Sequence, residues 1–134
     1  MSVSLARVAG IEQARGDLDG ALARFEEVLE IADQLFVDEE TPGALNNLVW
    51  YAQLCAGIEV SLSRADAALV RLEFFLEQAC LLESIMNVGI LDTAATYWER
   101  RVDALVALGR SSESDESRIR ALALRTRIAD STNA

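Results

Sequence analysis

Apolar residues along this chain recur three and four positions apart, in long runs separated by short polar breaks, and that spacing predicts helices. A first helix from Val3 to Ala14 sets Leu5, Val8, Ala9 and Ile11 on its apolar side. Gly16 ends it, and Asp17 is placed to cap the next. That second helix, Leu18 to Phe36, carries Leu18, Ala21, Leu22, Phe25, Val28, Leu29, Ala32 and Leu35 as one broad stripe, opposite Arg24, Glu26, Glu27, Glu30 and Asp33. The segment Val37 to Gly43 is the clearest break. Thr41 is a good N-cap, and Pro42 suits the first helical position, where its missing N–H costs nothing. The acids Asp38, Glu39 and Glu40 favour the positive end of the helix that follows.

A third helix is predicted over Ala44 to Leu62. Ser63 is read as the cap of a fourth, Arg64 to Met86, with Asp66 three residues on. The fourth helix is apolar on nearly every side, which predicts burial between neighbours on at least two faces. The stretch Val49 to Met86 is therefore the part around which the rest is expected to pack. Asn87 and Gly89 are natural stops. A fifth helix runs from Leu91 or Asp92 to Leu108-Gly109, and Arg110 to Ser117 reads as a polar turn. A sixth, Asp115 to Ala129, aligns Ile119, Leu122, Ala123, Thr126 and Ala129 on one side. Pairs Asp115–Arg118 and Glu116–Arg120 along its surface are worth roughly a few tenths of a kcal/mol each. The tail Asp130 to Ala134 is expected to fray.

These helices form a repeat. Ala9-Gly10-Ile11-Glu12 returns as Ala56-Gly57-Ile58-Glu59, an offset of 47 residues. At the same offset Asp19 meets Asp66, Ala21-Leu22 meets Ala68-Leu69, Arg24 meets Arg71, and Leu29-Glu30 meets Leu76-Glu77. A weaker third unit places Tyr97 at Trp50 and Leu105 at Ile58. Its Ala121-Leu122 continues the Ala-Leu pair at an offset of 53, so its turn is longer. Repetition at this scale signals stacked supersecondary units. The expectation is one all-α domain over residues 1–134, with six helices in three stacked antiparallel hairpins at about 2–40, 41–87 and 88–131.

Composition narrows function by exclusion. With 134 residues, 51% hydrophobic, and one Pro, the chain can bury a core and sustain long helices. Its net charge is −10, and all 12 basic residues are Arg. That charge speaks against nucleic-acid backbones and anionic membranes. No stretch reads as a membrane span or a secretion signal, which points to the cytoplasm. Cys55 and Cys80 sit in apolar helical runs and read as small buried hydrophobes. There is no His, so no Ser-His or Cys-His pair exists. No phosphate-cradling Gly loop, zinc set or calcium loop is present in the sequence. No cofactor or metal is expected, and an enzyme is not.

The stretch Gln13-Ala14-Arg15-Gly16-Asp17-Leu18-Asp19-Gly20-Ala21-Leu22-Ala23-Arg24-Phe25-Glu26-Glu27-Val28-Leu29-Glu30-Ile31 resembles the second half of a tetratricopeptide repeat. In that family a Gly-Asp turn joins helices A and B, a small residue (here Ala21) lets them approach, and an aromatic four positions on (here Phe25) fills the gap. Ala9 would be the small residue of helix A. Repeat two matches at Ala56, Ala68, Leu72 and Phe75 and departs at its turn, Ser63-Arg64. Repeat three has Asp103 at the small-residue position. The usual unit is about 34 residues; this one resembles a longer bacterial variant in which Thr-Pro opens a repeat, as Thr41-Pro42 does.

The resemblance implies a scaffold that binds a peptide or helix of another protein on the concave face of its A helices, a tetratricopeptide-like α-solenoid. Groove positions would be Val3, Ala6, Gly10 and Gln13; Trp50, Gln53, Gly57 and Val60; and Tyr97, Arg100, Ala104 and Ala107. Asn46 and Asn47 lie at its edge, and Arg101 stands beside Arg100. The Lys and Asn clamp for a peptide carboxylate is absent, and an apolar floor with Trp50 and Tyr97 suits a helix or extended apolar segment. Trp50, Tyr51, Tyr97 and Trp98 have two readings, packing between hairpins or partner contact. Two other functions are open: a small acidic secretion-type chaperone, and a self-associating module, as a homodimer or longer stack, joined through the helix Arg64 to Met86.

Overall fold

Glycine, Thr-Pro and Asn punctuate the chain where their backbone preferences allow, and helices fill the intervals. The computed structural model describes the backbone of residues 2–85 and 87–133, and the side chains of 5–85 and 87–131. The helices are α1 (Ser2–Ala14), α2 (Leu18–Glu39), α3 (Pro42–Ser61), α4 (Ala65–Phe74), α5 (Leu76–Leu82), α6 (Val88–Ala107) and α7 (Asp115–Asn133), with a 3₁₀ turn at Ser111–Ser114. The protein is all-α, with no strand among the described residues. Among the described residues, no helix is long and apolar enough to cross a membrane.

Packing follows chain order. Helix α1 lies on α2, α2 on α3, α3 on α4 and α5, both of those on α6, and α6 on α7; α3 also meets α6 directly. Two cores result. Ala9, Ala21, Leu22, Phe25, Leu29 and Ala32 join Leu48, Ala52, Cys55 and Ile58 of α3 in one. The other gathers Leu45, Val49 and Ala56 of α3 with Leu69, Leu72, Ala79, Leu82, Tyr97, Trp98, Leu105 and Leu124. The small residues Ala9, Ala21, Ala56 and Ala68, read as points of close helix approach, are all fully buried.

The turn after each first helix of a pair has one geometry. Gly16, Ser63 and Gly109 take φ of 82°, 61° and 73°. Each lies in a double hydrogen-bonded C-terminal motif that satisfies the last carbonyls of its helix. The N–H groups of Asp17, Arg64 and Arg110 reach back to the carbonyls of Glu12, Glu59 and Leu105 at 2.8, 2.7 and 2.8 Å. Those of Gly16, Ser63 and Gly109 bond Gln13, Val60 and Val106 at 3.1, 3.0 and 3.0 Å. Ser63 therefore closes α3 rather than capping the next helix, whose first residue is Ala65 with no side-chain cap. The longer third turn is the 3₁₀ segment, where Ser114 Oγ donates to the Ser111 carbonyl at 2.6 Å.

Other boundaries follow caps. Thr41 Oγ1 accepts from Ala44 N at 3.1 Å, with Pro42 in the first helical position. Asp17 accepts from Gly20 N at 3.1 Å. Asn87, expected as a stop, instead caps α6 through Ile90 N at 3.2 Å, so α6 begins at Val88, ahead of Leu91.

Packing corrects further expectations. The single helix Arg64 to Met86 is two, bent at Phe75, whose ring enters the first core while Ala79 and Leu82 of α5 enter the second. Met86 lies outside the described residues. Nor is this segment covered all round, because Val70, Phe74 and Leu81 are exposed. The centre of the fold is α3. On α7 the face with Ile119, Leu122, Ala123, Thr126 and Ala129 points to solvent, and Ser117, Ala121 and Leu124 are the buried residues. The pairs foreseen for Arg118 and Arg120 are replaced: Arg118 donates to Ser114 Oγ at 3.0 Å, and Arg120 pairs with Glu83 at 3.4 Å.

Ser63 holds a left-handed conformation that costs a residue with a Cβ roughly 1–2 kcal/mol before any compensation. Ser63→Gly should therefore stabilise the chain by about 0.5–1 kcal/mol, whereas Gly109→Ala should destabilise it by at least that much. Urea unfolding followed by circular dichroism checks both signs.

Candidate protein-binding surface

The residues singled out from sequence do not share one surface. Gln53 and Arg100 do meet. Arg100 Nε donates to Gln53 Oε1 at 3.3 Å, joining α3 to α6 between positions 47 apart, and Arg100 Nη1 pairs with Asp103 at 3.0 Å. Gly57 makes this possible, because a Cβ there would stand 2.8 Å from Arg100 Nε. Trp50, three residues before Gln53 on α3, is half-buried. Asn46, a turn earlier, is half-buried too, and its Oδ1 has no hydrogen-bond partner among the described residues.

Gln13 is exposed on α1, and the remaining candidates go elsewhere. Asn47 faces α2, in a hollow of about 280 Å³ shared with Ile31, Leu35 and Tyr51. Arg101 turns away from Arg100. Its guanidinium donates to Ser117 Oγ at 3.0 Å and Glu73 at 3.4 Å, tying α6 to α7 and α4. Val3's side chain lies outside the described residues.

Tyr97 is not a surface residue. It is fully buried, its hydroxyl donates to the Leu72 carbonyl, and burial pushes its pKa above the ordinary phenol value. A phenol is tolerated there because its O–H finds an acceptor. Trp98 packs edge-on against it, with ring centroids 5.1 Å apart. The Trp98 indole N–H donates to Glu83 Oε2 at 3.3 Å, and the Arg120 guanidinium carbon stands 4.3 Å from the ring centroid. Both aromatics of α6 are thus packing residues, whereas Trp50 and Tyr51 of α3 are only half-buried. Gln53 itself is almost wholly buried, so Arg100 and Trp50 are what this part of the surface presents.

Sequence reasoning passed over one cluster. Arg71 of α4 donates to Glu59 of α3 at 2.7 Å and to Glu26 of α2 at 2.9 Å, so one guanidinium joins three helices. Burial works against the Arg71 charge, but the hydrogen bonds to Glu59 and Glu26 outweigh it and raise the pKa above the ordinary value. Glu59 is buried and needs this partner. The same pair occurs one repeat earlier, where Arg24 stands 3.6 Å from Glu12. The signal was an acid and a base twelve residues apart, present in both copies at matched positions. Beside the cluster, Val70, Phe74 and Phe75 line a hollow of about 530 Å³ with Glu59 and Arg71 at one side.

The two cysteines are free. Cys55 is fully buried, and burial pushes its thiol up to about 12. Among the described residues, no group of three or more His, Cys, Asp or Glu is placed to hold a metal ion.

No family model, curated protein or solved structure matches this chain.

Removing Arg71 leaves a buried carboxylate unpaired, a change that typically costs 3–5 kcal/mol. Arg71→Met should destabilise the chain by about 3 kcal/mol in chemical denaturation, and adding Glu59→Leu should recover much of that loss. In the native chain a thiol reagent should modify the half-buried Cys80 well before Cys55, which should react only as fast as the protein opens; mass spectrometry of timed digests reads the order.

Proposed function

We propose that this chain is a non-catalytic scaffold for protein–protein interaction, a tetratricopeptide-like array that holds a peptide or helix of a partner against the face formed by α1, α3 and α6. One observation carries the reading. Gln53 and Arg100, equivalent positions of successive repeats, meet side chain to side chain across α3 and α6. Equivalent positions of adjacent A helices line up in this way when hairpins stack in a regular array. The three matched turns and the repeated Glu-Arg pair support the same arrangement.

The face offers a partner mixed chemistry. Trp50 supplies a flat apolar contact and Arg100 a cation already shared with Asp103. Trp and Arg are among the residue types that dominate binding energy at protein interfaces. The absence of His from the chain and its lack of any nucleophile–base pair favour a binding role over a catalytic one.

The test is capture from the native host with tagged protein. Trp50→Ala combined with Arg100→Glu should reduce recovery of a partner at least tenfold, while Phe74→Ser, in the hollow beside Arg71, should leave it unchanged. Equal recovery by the double variant would remove this face from consideration, and loss on Phe74→Ser alone would move the site to the hollow beside Arg71.

A further inference from the structure

Each repeat carries one apolar position on its first helix and one on its second whose burial depends on a neighbouring hairpin. On the first helices the matched residues are Ile11, Ile58 and Leu105. Ile58 and Leu105 are 2% and 1% exposed, but Ile11, on the outer face of α1, is 53% exposed. On the second helices they are Leu22, Leu69 and Leu122. Leu22 and Leu69 are 6% and 5% exposed, but Leu122, on the outer face of α7, is 69% exposed. Neighbouring residues agree. Val8 is exposed while its counterpart Cys55 is fully buried, and Ile119, an apolar residue where the other repeats hold the exposed Asp19 and Asp66, widens the outer apolar face beside Leu122.

The two ends are therefore the two halves of one interface already used inside the molecule, where α2 receives α3 and the α4–α5 pair receives α6. The outer face of α1 is what a preceding second helix covers, and the outer face of α7 is what a following first helix covers. Neither end is closed by a polar helix face, which isolated helical arrays need to remain monomeric.

Charge selects between the ways two copies could meet. Residues 2–40 hold ten acids against three Arg, whereas residues 88–131 hold seven acids and seven Arg. Joining two first hairpins would bring two strongly acidic surfaces together. Joining a first hairpin to a third avoids that repulsion.

We infer that a second copy of this chain docks head to tail, with Val8 and Ile11 of α1 in one molecule seated on Ile119 and Leu122 of α7 in the next. The contact is heterologous, so it leaves a free head and a free tail at every step and extends into open stacks unless the rotation closes a ring. This inference uses the repeat equivalence that also underlies the proposed scaffold, but it does not involve Trp50, Gln53 or Arg100.

Sedimentation of the full chain with two variants tests it. Wild-type mass should rise with concentration past that of a dimer. Ile11→Glu alone and Leu122→Glu alone should each sediment as monomers. Mixed in equal amounts they should form a one-to-one pair, because the first keeps an intact tail and the second an intact head. A wild type that stays monomeric at tens of micromolar, a mixture that stays monomeric, or either variant dimerising alone would each overturn the inference. Both substituted residues are exposed, so helix content by circular dichroism should match wild type; Ile11→Gln and Leu122→Gln replace them if it does not. The end variants should still capture a partner through the α3–α6 face, which separates failure of stacking from failure of the scaffold reading.

Discussion

Helix α3 has no face that can be given wholly to water, and the rest of the fold answers that constraint. Leu48, Ala52, Cys55 and Ile58 lie in the core made with α1 and α2, while Leu45, Val49 and Ala56 lie in the core made with α4 to α7. One hairpin could cover only one of these sets. Two hairpins pressed on opposite sides cover both, so α3 is the shared wall of two cores rather than one half of an independent pair. Burying this much apolar surface is the dominant favourable contribution to folding, at about 25 cal/mol per Å² removed from water.

Glu59 is the polar exception on α3 and it sets the register of the assembly. A buried carboxylate without a partner is costly, so α4 can pack only where Arg71 reaches it, and Arg71 also reaches Glu26 on α2. An apolar contact could slide by a turn at modest cost. A bidentate guanidinium held between two acids on two different helices cannot. The cluster therefore adds direction to a core whose apolar contacts are tolerant.

Helix boundaries were legible because their signals are local. Asp17, Thr41-Pro42 and Gly109 act through backbone hydrogen bonds within a few residues. The duplication was legible too, and Ser63 shows its limit: the repeat alignment put it at Gly16, yet residue type alone made it a cap for the next helix. What the sequence could not reveal was which apolar face meets a neighbour. Ile119 and Leu122 share a helix face as good as that of Ala121 and Leu124, and the smaller pair is the buried one. Periodicity finds a stripe but not its partner. The same gap separates Trp98, which is core, from Trp50, which is half-exposed. Of the residues read as a groove, Gln53 and Arg100 meet through a hydrogen bond, while Tyr97 and Arg101 serve packing and inter-helix bonds.

Why the smaller residues of α7 face inward follows from how that helix is attached. Arg125 donates to Glu99 at 2.8 and 3.0 Å, to Thr96 at 3.2 Å, and to Asp92, all on α6. Arg120 covers Trp98 and pairs with Glu83, and Arg101 bonds Ser117. Ser114 and Ser117 are fully buried at the start of α7, so the helix comes close to α6 there. Small inward residues permit that approach, and the approach brings the guanidinium groups within reach of the α6 acids. Directional polar contacts thus do at this end what Leu and Phe side chains do at the α2–α3 contact. Leu124 still packs inward, but Ile119 and Leu122 are released to the outer face, where they keep the character of a helix that expects another to lie against it.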